Sequence, residues 1–395
     1  MKIKDNPDIG ERNIRVIKKS MITLSIMLML VLGGCMNRGR ESSDKAPEAF
    51  SDKTPKDLYE AALSEDVLIV YTVTTRVTQT KEDFENEYPG LCVEIRDLRS
   101  PDLVEAVCES AKGDGTECDV VICNDNSGDF KSRLVDTGIV VPYIPEDISV
   151  HMKEGHTGER ISFLDEAEML FYNSALFDEV PVHNIWELTE ERFRGRVYMP
   201  SPLRSFSTYT LCGSVFTHSE ELEEAYNEYA GKELTDISED AASYFWHSLS
   251  ENLVFTNSSD EVMEGLKTGN ADFGFMVSSK MRFKDMGYTF EPVYRLEPFA
   301  GCKTTYSVML AADSKNSNAA RLFIRFLLGG EDGSGEGYKP FCTEGTWSAR
   351  DDVKDGNEVP INEIDLIEPE EDYLIKNKED LDLFWSEILK RKFES

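Results

Sequence analysis

The chain has 395 residues, of which 40% are hydrophobic and 10% aromatic, a composition typical of a globular protein with room for two domains. Its formal net charge of −33 disfavours binding to nucleic acid and to anionic lipid headgroups, because both require a basic protein surface. The eight cysteines include no CxxC pair, which argues against a structural zinc site.

The first 34 residues have the pattern of a bacterial lipoprotein signal peptide. Basic residues between Lys2 and Lys19 precede an apolar run from Met21 to Leu32, which is too short to span a bilayer. The run ends in Gly-Gly-Cys35, which resembles a lipobox and implies that Cys35 is the lipidated first residue of the mature chain. We therefore expect a signal peptide at 1–34, a polar flexible stalk at 35–57, and a folded body anchored on the outer face of the cell membrane, or in the periplasm if the source has an outer membrane.

Predicted strands and helices alternate along the rest of the chain. Apolar runs at 67–71, 91–95 and 119–123 predict buried strands, and helices are predicted between them at 80–88 and 101–111. The alternation recurs later, with strands predicted at 195–199, 253–255, 271–277 and 305–311 and helices at 220–229, 239–249, 260–268, 317–328 and 380–392. An α/β fold with mostly parallel sheets follows, and two lobes explain the pattern better than one enlarged domain.

Several short segments, in their order along the chain, carry a family resemblance. They include Leu58 to Ala62, Phe84 to Pro89, Phe171 to Asn173, Phe193 to Arg196 and Val254 to Ser258. Their order resembles that of the extracellular solute-binding proteins of ferric-iron and phosphonate-type ABC importers, which have the two-lobed type II periplasmic-binding-protein fold.

This resemblance implies an architecture and a function. Each lobe is expected to be a mixed, mostly parallel sheet flanked by helices, and a hinge should join lobe 1 (58–175 plus 300–348) to lobe 2 (176–299 plus 349–395). The protein is expected to be a monomeric binding protein rather than an enzyme, without a cofactor, and to deliver a small solute to an ABC permease and its ATPase.

Candidate ligand-binding residues follow the predicted strands, because ligands of open α/β sheets bind beyond the carboxyl ends of the strands. Hydroxyl, amide and charged side chains in these loops supply hydrogen-bonding groups for a small polar solute. The candidates are Thr74, Thr75, Arg76, Asn124, Asp125, Ser205, Ser207, Thr208, Asn257, Ser258, Ser278, Ser279, Lys280 and Tyr306.

The nature of the solute is inferred from a departure from the iron-binding relatives. The resemblance implies iron ligands at four positions, which in those relatives are a histidine, an acidic residue and two adjacent tyrosines. The corresponding residues here are Thr75, Asn124, Ser279 and Lys280, none of which is a hard anionic donor. A one-residue shift would restore Asp125, so an iron-binding protein of the same class remains an alternative. Arg76 and Lys280 instead favour an anionic organic solute.

Two further alternatives remain open from the sequence. A lipoprotein that presents its ligand to a membrane sensor kinase would have the same fold and the same site. An extracytoplasmic hydrolase is disfavoured because neither a GxSxG nor an HExxH motif is present and the five histidines are scattered.

Overall fold

Residues 53–113, 117–124, 127–238 and 240–394 are described by the computed structural model. The predicted signal peptide, the lipidation site Cys35, most of the stalk and Asp125 lie outside these residues. The strands are β1 Leu68–Thr72, β2 Val93–Asp97, β3 Val120–Cys123, β4 Val140–Val141, β5 Ser162–Tyr172, β6 Val197–Pro200, β7 Leu253–Thr256, β8 Phe273–Val277, β9 Glu291–Pro292, β10 Gly301–Ala311, β11 Trp347–Ser348 and β12 Leu366–Ile367.

Helices cover the strands and connect them. The α-helices are α1 Pro55–Ala62, α2 Thr75–Thr78, α3 Lys81–Glu87, α4 Ser100–Lys112, α5 Glu146–Ser149, α6 Phe206–Ser214, α7 Ser219–Ala230, α8 Ala241–Ser250, α9 Ser259–Lys267, α10 Ser317–Leu327, α11 Glu371–Lys376 and α12 Lys378–Glu394. A π-helical turn spans Lys131–Val135, and short 3₁₀ helices span Ile185–Thr189, Glu191–Phe193, Pro202–Arg204, Val215–His218, Leu234–Asp236, Ser278–Met286, Lys339–Phe341 and Ile361–Glu363.

The strands form two half-sheets that share two long strands. Their order is β2-β1-β3-β10-β5-β8-β6-β7, in which β1 runs parallel to β2 and β3, and β6 runs parallel to β7 and β8. The shared strands β5 and β10 have 11 residues each, pair with each other antiparallel, and pass from one half-sheet into the other. This arrangement confirms the predicted two-lobed α/β fold, with β5 and β10 as the connection between the lobes.

Each half-sheet has an apolar core on both faces, as expected for parallel strands that helices cover on both sides. In lobe 1, Val70 lies in the core beneath α10 and Tyr71 in the core beneath α4. In lobe 2, Leu170 lies in a core with Trp186 and Trp385, and the neighbouring Phe171 lies in the opposite core. The predicted lobe boundaries remain predictions, although Trp385 places α12 in a lobe 2 core.

One of the two longest strands, β5, was missing from the predicted elements. All 11 residues of β5 are buried, but its sequence SFLDEAEMLFY contains three carboxylates, Asp165, Glu166 and Glu168. These interrupt the apolar run by which a buried strand is recognised. Each carboxylate therefore needs a polar partner inside the protein.

Candidate functional site

Arg76 links the first strand of lobe 1 to the shared strand β5. The chain leaves β1 at Thr72, and Thr74 caps α2 by accepting a hydrogen bond from the backbone N–H of Arg76. The Arg76 side chain is buried and forms an ion pair with the buried carboxylate of Glu166. Its guanidinium also donates to Thr346 Oγ1 at 3.0 Å and lies 4.9 Å from the centre of the Phe341 ring.

The carboxylate of Glu166 joins this arginine to lobe 2. Ser279, which follows β8, donates from Oγ to Glu166 Oε2 at 3.1 Å. Glu166 therefore receives hydrogen bonds from a lobe 1 residue and a lobe 2 residue at the same time. This brings two of the predicted loops, after β1 and after β8, together at the shared strand.

A second carboxylate on the same face of β5 binds the loop after β6. Glu168 accepts hydrogen bonds from Thr208 Oγ1 at 2.8 Å and from Ser207 Oγ at 3.0 Å, and both hydroxyls lie in the first turn of α6. Ser205 caps this helix and lies 3.1 Å from Ser207 Oγ. Burial raises the pKa of Glu168 to about 7, although the Thr208 and Ser207 hydrogen bonds oppose the shift.

Lobe 2 contributes two cations with different surroundings. Lys280 pairs with Asp260, whose side chain is 66% exposed. Arg282 is partly buried, and its guanidinium donates to the backbone carbonyl of Ser279. Burial and the charge of Arg76 lower the pKa of Arg282, and within the described part of the chain it has no carboxylate within ion-pair distance.

Other predicted residues have roles in the local structure. Ser258 caps α9, and Asn257 binds both Glu261 and Arg204. Ser278 is buried and bridges Gly345 and Ala167, with Oγ donating to the first and accepting from the second. Such capping and turn contacts are common for these residue types and are compatible with a site at the loop ends.

The remaining predicted residues differ in exposure. Thr75 is exposed, whereas Asn124 and Tyr306 are buried. Tyr306 lies 5.8 Å from the Arg76 guanidinium, and burial raises its pKa. Tyr306 and Arg76 therefore belong to one contact region, while Thr75 is available to solvent.

A cavity of about 340 Å³ lies where the loops of both lobes meet the C-terminal helices. Ser205, a predicted residue, is on its wall, and Tyr209 and Phe206 supply aromatic surface. The full lining consists of Pro101, Ser127, Asp129, Pro202, Leu203, Ser205, Phe206, Tyr209, Lys378, Asp382 and Ser386. Phe206 also packs into a lobe 1 core, so the two lobes are in contact beside this cavity.

Glu166, Glu168 and Arg282 were not among the residues predicted from the sequence. The signal available for the two glutamates was their spacing of two in an otherwise apolar segment, which places both on one face of a strand. Arg282 lies only two residues beyond the predicted Lys280. A set of candidates that continued two residues further along this loop would have included it.

One group in the described ranges has the composition of a metal site, and it is not at the loop ends. His151 Nδ1 lies 3.6 Å from a carboxylate oxygen of each of Asp351 and Asp352. Asp352 is already bound at both oxygens by the buried Arg350, and Asp351 is largely exposed. A cation there would compete with the Arg350 guanidinium.

The sequence of residues 68–332 matches the family model of the bacterial extracellular solute-binding proteins. The chain belongs to this family. It is therefore a solute-binding protein, which confirms the expectation of a binding protein rather than an enzyme and of a location outside the cytoplasm. No helix in the described residues is long and apolar enough to cross a membrane.

Solved structures of similar fold place this solute-binding protein among two-lobed binding proteins. The apo ferric ion-binding protein A of Pasteurella haemolytica has 14% identity and a TM-score of 0.61, with 81% of this chain and 97% of that chain covered. The periplasmic binding protein AfuA of Actinobacillus pleuropneumoniae, with bound fructose-6-phosphate, has 16% identity, a TM-score of 0.63 and coverage of 82% and 98%. Iron-bound HitA of Pseudomonas aeruginosa has 16% identity, a TM-score of 0.59 and coverage of 82% and 99%. No curated protein sequence matches the chain.

Proposed function

We propose that this solute-binding protein captures a small organic anion between its two lobes and delivers it to an ABC permease and its ATPase. The observation that carries this proposal is the partly buried guanidinium of Arg282, which has no carboxylate partner in the described structure. An arginine remains protonated under physiological conditions, so it keeps its positive charge even where burial is unfavourable. A bound anion would neutralise that charge.

The charge balance around Glu166 supports the same proposal. Arg76 and Arg282 both approach this region, and the single Glu166 carboxylate is paired with Arg76. Arg282 is thus a positive charge that no ion pair neutralises in the described residues, although the whole chain carries −33. Such a charge can bind and orient an anionic group through charge-assisted hydrogen bonds.

Hydroxyl groups at the start of α6 would suit the polar remainder of an organic solute. Ser205 faces the inter-lobe cavity, and Ser207 and Thr208 lie in the helical turn that follows it. The bound fructose-6-phosphate of AfuA is a solute with both an anionic group and several hydroxyls, which is the class of ligand proposed here.

The proposal is tested by a thermal-shift screen of the purified chain. The probes are fructose-6-phosphate and other sugar phosphates, phosphonates, inorganic phosphate, thiamine, polyamines, ferric citrate and free ferric iron. A ligand that binds the native state raises the melting temperature by mass action. We expect stabilisation by organic anions and a fall in affinity of about 10- to 100-fold in Arg282→Gln, because a hydrogen bond to a charged group contributes about 1.5–3 kcal/mol.

Arg192→Gln is the matched control for this variant. The Arg192 guanidinium lies 4.5 Å from the ring of the next residue, Phe193, as Arg282 lies 4.5 Å from the ring of Phe283. Arg192 is 53% exposed and pairs with Glu190 outside the loop ends. Stabilisation by ferric iron alone, or equal loss of affinity in both variants, would contradict an anion site at Arg282.

The lipid anchor is a separate part of the proposal. Acylation of Cys35 would hold the folded body at the membrane surface beside its permease, as a monomer. Cys35→Ser is expected to abolish incorporation of labelled palmitate into the chain in the producing bacterium. Equal incorporation into the variant and the original chain would argue against acylation at this cysteine.

A further inference from the structure

The C-terminal helices α11 and α12 contact both lobes, but α12 belongs to the apolar core of lobe 2. The Trp385 ring of α12 lies 5.0 Å from the Trp246 ring of α8, and Ile388 belongs to the same lobe 2 core. Lys392 Nζ donates to the backbone carbonyl of Glu251 at 3.2 Å. The helix α12 is therefore packed against lobe 2.

Two successive side chains of α11 pack in opposite directions. A Cβ atom on Gly213, in helix α6 of lobe 2, would lie 2.4 Å from Leu374 Cδ2, whereas a Cβ on Gly128, in lobe 1, would lie 2.2 Å from Ile375 Cγ1. Successive side chains of a helix diverge by about 100°, so one helix can contact two bodies in this way. At either glycine, a Cβ atom would displace the opposing side chain.

Ion pairs reinforce the contact with lobe 1. Glu371 pairs with Arg160 at 2.8 Å, and the two side chains are only 13% and 23% exposed. Lys378 Nζ lies 3.6 Å from an Asp129 carboxylate oxygen. Ile375, Glu371 and Lys378 thus form one lobe 1 contact, with an apolar centre and charged flanks.

We propose that residues 371–378 are a strap that stabilises the closed arrangement of the two lobes. Opening at the strands β5 and β10 would carry α11 and α12 away with lobe 2 and break the lobe 1 contact, while the lobe 2 contacts would persist. The free energy of the lobe 1 contact therefore belongs to the closed state alone and shifts the equilibrium toward it. Lys378 and Asp382 also line the inter-lobe cavity, so the strap forms one wall of the space between the lobes.

The strap is tested without any ligand by small-angle X-ray scattering of the full chain. The double variant Glu371→Gln/Ile375→Ser removes the part-buried ion pair and the apolar contact with Gly128. We expect the closed-to-open ratio to fall about tenfold, which corresponds to about 1.4 kcal/mol, and the radius of gyration to increase. Asp129→Asn removes the carboxylate of lobe 1 that pairs with Lys378. We expect it to cause a smaller increase in the radius of gyration.

Glu379→Gln/Leu383→Ser is the control pair. Both side chains lie on α12, Glu379 is exposed, Leu383 is 60% exposed, and neither lines the inter-lobe cavity. This control should leave the radius of gyration unchanged, and the near-ultraviolet circular dichroism of all three variants should match the original chain if the lobe cores remain intact. An unchanged radius in the strap variants, or equal expansion in the control, overturns the proposal. The ligand-free measurement is independent of whether the solute is an anion.

Discussion

Lobe 1 and lobe 2 each place an arginine near Glu166, but only Arg76 forms an ion pair with that carboxylate. Arg76 is buried against Glu166, Thr346 and the Phe341 ring, so its charge and its hydrogen-bonding groups are used within the protein. Arg282 has a backbone carbonyl as its partner and lies within the influence of the Arg76 charge. This difference is the reason for proposing Arg282, rather than Arg76, as the cation that binds the ligand.

The largest effect is expected when the Arg76 pair is broken. Arg76→Met would leave the fully buried Glu166 carboxylate without its cation, and such losses typically destabilise by about 3–5 kcal/mol. Arg282→Met should destabilise by less than about 1 kcal/mol or stabilise, because it removes a poorly compensated buried charge rather than creating one. Equilibrium urea unfolding of the ligand-free chain measures both values.

Arg192→Met supplies the reference for an exposed arginine. Its ion pair with Glu190 is solvent-exposed, so we expect a change of at most about 1 kcal/mol. If Arg76→Met were no more destabilising than this reference, the assignment of Arg76 as a structural cation would be wrong. Arg76 would then have to be considered as a ligand-binding residue, as the sequence analysis predicted.

Part of the fold is predictable because several strands, such as β1, β3 and β8, are apolar over most of their length. The residues of β1 are predicted to within one position at each end, and the helix α10 is recognised from the spacing of its apolar residues. Both predictions depend only on the burial of apolar side chains, which the sequence pattern shows directly. The shared strand β5 was missed because its buried face carries Glu166 and Glu168, which only the tertiary structure provides with partners.

The candidate site is predictable in position but not in role. The loops after β1, β6 and β8 do meet at the shared strand, as the topology requires. Sequence alone could not show that Glu166 neutralises Arg76, because these residues are 90 positions apart and the strand that brings them together was not recognised. An arginine can be proposed as a ligand-binding residue only when it is known whether a carboxylate of the protein already pairs with it.

A smaller, pH-dependent effect distinguishes the two carboxylates on this face of β5. Glu166 is paired with a guanidinium, whereas Glu168 has the hydroxyls of Thr208 and Ser207 and a pKa raised by burial to about 7. The ordinary pKa of a glutamate is 4.5, so the unfolded chain loses this proton at lower pH than the folded chain. The contribution of Glu168 to the free energy of unfolding therefore falls as the pH rises from about 4.5 to about 7 and is constant above it.

Glu168→Gln should remove this fall, which corresponds to about 3 kcal/mol at about 1.4 kcal/mol per pH unit. Urea unfolding of the original chain and the variant at pH 4.5, 6 and 8 measures the change as a difference between two curves, so that titration of other groups cancels. Glu379→Gln, at an exposed position of α12, is the reference variant. If the Glu168 and Glu379 variants respond alike, burial does not raise the pKa of Glu168, and the hydrogen bonds from Thr208 and Ser207 stabilise its charged form more than burial opposes it.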